Sequence, residues 1–150
     1  MLEELDDAVA TLITDVDAIE ADGLIKSRRV SYTETAGAGT YTGSVAIPAG
    51  GICHAIIVET TVAWGADTTV MDLGYTGVLT AYANDAAVDA TTEQVFGGWY
   101  DGGSMGAQGT NYFAGGTNII GTLVTTGAGT TAGRTTMTVT YSTPAAGTAA

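Results

Sequence analysis

Glycine is distributed so unevenly along this chain that its positions predict the domain organisation. All 22 glycines lie at position 23 or later, and the residues before Gly23 include eight acids and no base. A glycine-free acidic stretch suits a helix, whereas repeated glycines destabilise helix interiors and suit the turns between strands. The sequence therefore predicts an N-terminal acidic helix within residues 1–25, a β domain over residues 26–143 and a loose tail over residues 144–150.

Apolar residues in the first segment recur at spacings of three and four, which is the a and d pattern of a heptad. This apolar stripe consists of Leu2, Leu5, Val9, Leu12, Val16 and Ile19. Acids in the first turn are favourable beside the positive end of the helix dipole, and Gly23 is a suitable stop. We expect an amphipathic helix over about residues 2–22, with the apolar stripe as its partner-binding face.

Three surfaces are candidates for packing against the apolar stripe. Three heptads suffice for a short self-associating coil. However, the e and g positions beside the stripe carry acids, so identical helices would place like charges along their seam; these acids are Asp6, Asp15, Glu20 and Asp22. The stripe could instead pack on the β domain of the same chain, or insert into a basic groove on another protein. The sequence leaves all three open.

From Val30 onward the apolar pattern changes to the period of two that is typical of strands with one buried face. One long strand is expected to place on one face Ile52, His54, Ile56, Val58, Thr60, Val62 and Trp64. Near the end of the chain, Met137, Val139 and Tyr141 are expected to face inward and the intervening threonines outward. About eight short strands separated by glycine turns predict a mainly β fold, an antiparallel β-sandwich or jelly roll preceded by one N-terminal helix.

The net charge argues against two classes of partner. The chain has 16 acids and four bases, a formal charge of −12, so it lacks the basic surface that displaces counterions from nucleic acid. An anionic membrane surface would repel it, and no stretch approaches the roughly 20 apolar residues of a membrane span. We expect no direct contact with nucleic acid or membrane. Without a basic n-region and an apolar h-region, we also expect no secretory leader.

Reactive side chains form no recognisable catalytic or metal-binding set in the sequence. Residues 102–106 match the G-x-S-x-G pattern of a nucleophile elbow around Ser104, but no Asp, Glu or His follows Asp101 to complete a triad. Cys53 and His54 are neighbours, so on a strand they point to opposite faces and cannot share a metal ion. We expect no catalytic residue, metal or cofactor. Cys53 is then a small buried hydrophobe and His54 a hydrogen-bonded residue beside the core.

Aromatic residues gather on both sides of the longest predicted loop, which runs from Gly102 to Gly116. The set comprises Phe96, Trp99, Tyr100, Tyr112 and Phe113. Such rings can stack on sugars, although core packing and subunit contacts are their more frequent uses. The last four of the set are the candidates for a subunit or receptor contact.

The stretch from about Gly39 to Tyr141 resembles small β-domain proteins of tailed viruses, both bacteriophages and archaeal viruses. The resemblance lies in a hydroxyl-rich strand ending at Ile47–Gly51, the long strand after it, the Gly74–Tyr75 corner, the Tyr112–Phe113 pair, Ile119–Ile120 and the threonine-alternating stretch Thr136–Tyr141. Proteins of this kind are capsid decoration or cement proteins and the related knobs of head and tail fibres.

This resemblance implies a homotrimeric β-sandwich on a capsid lattice, with an N-terminal arm that reaches neighbouring subunits. The implied partners are the major capsid protein or neighbouring virion proteins. The implied location is the capsid surface of a virion assembled in the host cytoplasm, where a decoration protein would stabilise the shell. The alternative is a receptor- or glycan-binding knob of a virion fibre.

The first prediction concerns Ser104. Because the chain after Asp101 supplies neither an acid nor a histidine, Ser104→Ala is expected to leave any hydrolysis of ester or glycan substrates unchanged. Turnover of model esters and oligosaccharides by the two proteins, at equal concentration, checks this. Loss of turnover in the variant alone would make Ser104 a nucleophile.

Overall fold

The computed structural model describes residues 25–35, 38–65, 68–96, 111–127 and 133–143. The predicted N-terminal helix lies outside these ranges. Within them the chain forms nine strands and no helix. The strands are β1 (Ile25–Thr33), β2 (Gly39–Ile47), β3 (Gly51–Val62), β4 (Thr68–Tyr75), β5 (Val78–Ala87), β6 (Thr92–Phe96), β7 (Tyr112–Phe113), β8 (Thr117–Thr126) and β9 (Arg134–Ser142).

The strands form two antiparallel sheets. Sheet A has the order β1-β9-β3-β6, with the short β7 also paired to β3, and sheet B has the order β2-β8-β4-β5. The pairings are nested: β4 pairs with β5, β3 with β6, β2 with β8 and β1 with β9. The strand pairs thus follow the order of one long antiparallel hairpin whose two arms fold over into two layers. The prediction of a mainly β, antiparallel domain is confirmed, with nine strands among the described residues where about eight were expected.

The core lies between the inner faces of the two sheets. Ile119 and Leu123 of β8 and Met137 and Val139 of β9 are fully buried. Each such side chain contributes about 1.5–3 kcal/mol when it is removed from water. The inward alternation predicted for the last strand is therefore confirmed. Tyr141 also points inward and is 5% exposed.

One hydrogen bond joins the two layers at the centre of the core. The hydroxyl of Tyr32, on β1 in sheet A, donates to the carbonyl oxygen of Gly121, on β8 in sheet B, over 3.1 Å. A β-carbon at Gly121 would overlap the side chains of Met71 and Tyr32. The layers come this close because position 121 has no side chain.

The face predicted for the long strand β3 is wrong at Ile52 and at Val62, whereas Trp64, just after the strand, is buried as predicted. Its pairing with β9 shifts between Cys53 and Ala55 and again between Thr60 and Val62. Each such β-bulge adds one residue, and because side chains alternate with a period of two, one extra residue moves the next side chains to the opposite face. Ile52 and Val62 are consequently 38% and 42% exposed, whereas the central part of the predicted face is buried.

A buried polar cluster holds strands of sheet A to the chain segments beside them. The indole nitrogen of Trp64 donates to the Thr135 hydroxyl over 2.8 Å, and that hydroxyl is 2.9 Å from the hydroxyl of Thr60. Thr60 also donates to the carbonyl of Val88 over 3.1 Å. These contacts satisfy polar groups that would each cost about 1–3 kcal/mol if buried without partners.

The second prediction concerns alkaline pH. Burial raises the pKa of the Cys53 thiol from 9.0 to about 12, so the folded state keeps the thiol protonated while the unfolded state ionises near pH 9. This source of stability is fully present below about pH 9 and is lost above it, by up to about 1.4 kcal/mol per pH unit. Denaturant unfolding of the wild type and Cys53→Ala at several pH values measures this loss.

The difference in free energy of unfolding between those two proteins should be constant up to about pH 9 and then shift against the wild type. Burial also raises the pKa values of Tyr32 and Tyr82 above their usual 10.0. Both proteins should therefore lose further stability above pH 10, and Tyr32→Phe should lose less. A pH-independent difference between wild type and Cys53→Ala would contradict the buried neutral thiol.

Candidate functional site

The outer face of sheet A carries a row of exposed apolar side chains at one end. Strand register aligns Ile25 on β1 with Ser142 on β9, Ser142 with Ile52 on β3, and Ile52 with Tyr112 on β7. Ile25 is 68% exposed, Ile52 is 38% exposed and Tyr112 is 57% exposed. Strands in a sheet lie about 4.8 Å apart, so these residues, named here the outer apolar row, extend over about 14 Å.

The outer apolar row depends on the first bulge of β3. Before the bulge Gly51 and Cys53 point into the core and Ile52 points outward. The bulge leaves His54 half-buried, and its Nε2 lies 2.8 Å from the hydroxyl of Ser142. The predictions that Cys53 is buried and that His54 is hydrogen-bonded beside the core are both confirmed. The pairing of His54 with Ser142 joins residues 88 positions apart and has no signal in the sequence.

Further along the same outer face, the surface changes from apolar to acidic. Ile57 on β3 pairs with Val95 on β6, which is 50% exposed. Two residues further along β3, Glu59 pairs with Glu93. Like charges directly opposite each other on neighbouring strands are destabilising.

The structure separates the predicted contact aromatics. Tyr112 belongs to the outer apolar row. Its neighbour Phe113 is 7% exposed and packs edge-on against Tyr75, with ring centroids 5.4 Å apart, so packing within the chain accounts for its ring. Trp99 and Tyr100 lie outside the described residues, as does the whole apolar stripe: Leu2, Leu5, Val9, Leu12, Val16 and Ile19.

The site offers little catalytic machinery. Ser104 lies outside the described residues. His54 and Ser142 form a base–hydroxyl pair, but in the described ranges no carboxylate hydrogen-bonds to His54 to orient its ring. No group of three or more histidines, cysteines and acids that could hold a metal ion occurs in the described part of the chain. No helix within the described ranges has the length and hydropathy to cross a membrane.

One oxygen of the buried Glu34 carboxylate has a structural role, whereas its Oε1 has no hydrogen-bond partner among the described residues. Glu34 is 5% exposed, and its Oε2 accepts hydrogen bonds from the backbone nitrogens of Gly133 over 3.1 Å and Gly65 over 3.3 Å. Glu34 thereby ties together the segments after β1, after β3 and before β9.

The described residues form a two-layered antiparallel β domain with exposed apolar side chains on the outer face of sheet A. Its fold is similar to that of a chain in the capsid asymmetric unit of cyanophage Pam1, with 20% identity, a TM-score of 0.58, and coverage of 82% of this chain and 87% of that chain. A chain in the acidic stable capsid structure of Helicobacter pylori bacteriophage KHP30 is 16% identical, with a TM-score of 0.48, and the match covers 81% of this chain and 94% of that chain. No protein-family model and no curated protein matches this sequence.

The third prediction concerns the hydrogen bond between His54 and Ser142. Each of His54→Ala and Ser142→Ala should lower the free energy of unfolding, and the double variant should lose less than the sum of the two. The expected coupling energy is about 0.5–1.5 kcal/mol, the usual net value of one hydrogen bond. Denaturant unfolding of the four proteins measures it. Strictly additive losses would mean that the bond contributes nothing.

Proposed function

We propose that this protein is a non-enzymatic structural component of a virion, a capsid decoration or cement protein that binds the outer surface of the shell as a homotrimer. The outer apolar row carries this proposal, because exposed apolar side chains gathered at one end of a sheet face form a surface that a partner can cover. The fold similarity to a chain of a bacteriophage capsid agrees with it.

The strand order also agrees with a capsid role. A jelly roll is expected to have nested antiparallel strand pairs in two sheets of four strands each. The orders β1-β9-β3-β6 and β2-β8-β4-β5 agree with this arrangement. We assign the domain to that architecture, with β7 as an additional short strand on β3. Jelly rolls are frequent in viral capsids and in lectins, so the topology fits both the decoration protein and the alternative given below.

The mechanism of such a protein would be mass action. A protein that binds the assembled shell and not the disassembled subunits stabilises the shell by RT ln(1 + [L]/Kd), which is about 2.7 kcal/mol per site at 100 Kd. This stabilisation requires no chemical reaction. The contact between the protein and the shell needs apolar surface and shape complementarity, and the outer apolar row supplies the apolar surface.

A three-fold assembly would allow each chain to bury part of its apolar outer face against a neighbour. Closed rotational symmetry limits growth, because every copy then uses the same pair of surfaces and no unpaired end remains to add further copies. The adjacent Glu59 and Glu93 pair would stay at the rim of such a contact, where charges remain hydrated.

The alternative is a receptor- or glycan-binding knob of a head or tail fibre. The observation that favours it is the exposure of Tyr112, which is 57% exposed and follows Trp99 and Tyr100 by about a dozen positions in the sequence. Exposed aromatic rings beside a loop suit stacking on a sugar face. In this alternative Tyr112 contacts a ligand and the remainder of the row contacts other subunits.

The fourth prediction tests the contact surface. Ile52→Ser combined with Tyr112→Ser should abolish co-sedimentation with virus particles and shift the free protein toward monomer, since both changes remove exposed apolar area at the proposed contact. Stability should fall by only about 1 kcal/mol per site, because neither side chain belongs to the core and the loss is limited to partial burial and strand propensity. Sedimentation velocity and particle pelleting provide the two measurements.

The matched control is Val78→Ser combined with Leu79→Ser. These residues are 42% and 52% exposed but lie on β5 of sheet B. The control should keep particle binding and oligomeric state. Equal losses in both double variants would contradict a specific contact through sheet A.

The number of copies per purified particle separates the two functions. Many copies in proportion to the major capsid protein would identify a decoration protein, and a few copies per particle would identify a fibre knob. Absence from purified particles would overturn the virion role altogether. Quantitative mass spectrometry of purified particles gives this ratio.

A further inference from the structure

Two unpaired sheet edges lie side by side on the described domain. β1 ends sheet A and β2 ends sheet B, each strand is nine residues long, and the two contact each other across the sandwich. Neither strand contains proline. A long edge strand presents unpaired backbone N–H and C=O groups that invite other chains, and proteins often cover such an edge with a helix or loop. This surface is named here the β1–β2 edge.

A basic cleft opens on the β1–β2 edge. It has a volume of about 330 Å³ and is lined by Arg28, Arg29, Ser44, Val45, Ala46 and Tyr141. Lys26 lies two residues before Arg28 on β1 and points to the same side of the strand. The edge thus carries three of the four bases in the chain. Within the described residues none of the three has a carboxylate partner.

The chain itself contains a segment with the complementary chemistry. Residues 1–22 hold half of the 16 acids and no base, together with the apolar stripe. The acids that disfavour a coil of identical helices, Asp15, Glu20 and Asp22 among them, flank that stripe and would face cations if the stripe lay in the cleft. The charge pattern thus favours a basic surface over self-association.

Length and connectivity favour the same chain as the source of this segment. A helix of about 20 residues is about 30 Å long, and the nine residues of β1 span about 30 Å as well. Gly23 and Leu24 connect the two, and glycine tolerates the backbone reversal that folding back requires. A tether this short gives an effective concentration in the millimolar range, which favours the chain's own segment over that of a second molecule.

We propose that residues 1–22 fold back at Gly23 and cover the β1–β2 edge of the same chain, with the acids that flank the apolar stripe beside Lys26, Arg28 and Arg29. The segment then closes both open edges and neutralises the basic cleft. This inference concerns the isolated chain and does not depend on the proposed virion role.

The arrangement places particular residues together. A helix that returns along β1 from Gly23 brings Asp15 and Asp17 beside Lys26, because a helix advances about 1.5 Å and a strand about 3.3 Å per residue. Arg28 then lies about one helical turn further along, where its long side chain can reach back toward Asp15. The first turn of the helix, with Glu3 to Asp7, then lies beside Thr33 at the far end of β1.

Zero-length carbodiimide cross-linking of the full chain tests this placement. The variant Thr33→Lys puts an amine at an exposed position at the far end of β1. Mass spectrometry should find it linked to Glu3, Glu4, Asp6 or Asp7. The link should weaken severalfold between about 0.01 M and about 1 M salt, where the Debye length falls from about 30 Å to about 3 Å.

Thr80→Lys is the matched control, since Thr80 is equally exposed but lies on β5 at the opposite edge of sheet B. It should give no link to residues 1–22. Adding Arg28→Gln and Arg29→Gln to Thr33→Lys should abolish the link, whereas adding Thr80→Glu and Thr126→Glu, with the same change in net charge, should preserve it.

An equal mixture of unlabelled and nitrogen-15-labelled protein identifies the chain that supplies the segment. Links confined to peptides of one isotope support folding back within one chain. Links between labelled and unlabelled peptides would overturn the proposal in favour of exchange between neighbouring copies. Equal linking by Thr33→Lys and Thr80→Lys, or none by either, would overturn the cleft as the docking surface.

Discussion

The bulge between Cys53 and Ala55 is the constraint on which the outer surface of this protein depends. β3 runs through sheet A and pairs with β9 along its length, so the residue at which its alternation changes decides what faces water. With the bulge, Cys53 enters the core and Ile52 joins Ile25 and Tyr112 outside. A regular strand would bury Ile52 and expose Cys53, and the outer apolar row would have a gap at its centre.

The sequence predicts which side chains face the core in strands whose two faces differ in chemistry. It does not predict them in strands that carry apolar residues on both faces. In β9, Met137, Val139 and Tyr141 alternate with threonines, so the inner face is evident. In β3, isoleucines occupy positions 52, 56 and 57, so apolar residues lie on both faces and periodicity cannot locate a bulge. The bulge follows from the pairing with β9, which is a long-range property that local propensity does not contain.

The candidate site shows the same limit. Tyr112 and Phe113 are adjacent on one strand, so one ring had to point inward and the other outward, but their chemistry is too similar to say which. The pairing of β7 with β3 decides it: Phe113 pairs with Gly51 and enters the core, whereas Tyr112 pairs with Ile52 and stays outside. The predicted aromatic contact is thereby reduced, within the described residues, to one ring beside two aliphatic side chains.

Net charge opposes contact between the apolar surfaces of two copies of this chain. Charged residues are 13% of the chain, yet the net charge is −12, so every copy repels every other copy at low ionic strength. If the acidic segment covers the basic cleft, no positive surface of comparable size remains among the described residues to attract a second copy by charge. Association through sheet A then depends on apolar contact and shape, and it should strengthen as salt screens the repulsion. Salt would in the same range loosen the segment from the cleft, so the two surfaces of this small domain respond to ionic strength in opposite directions.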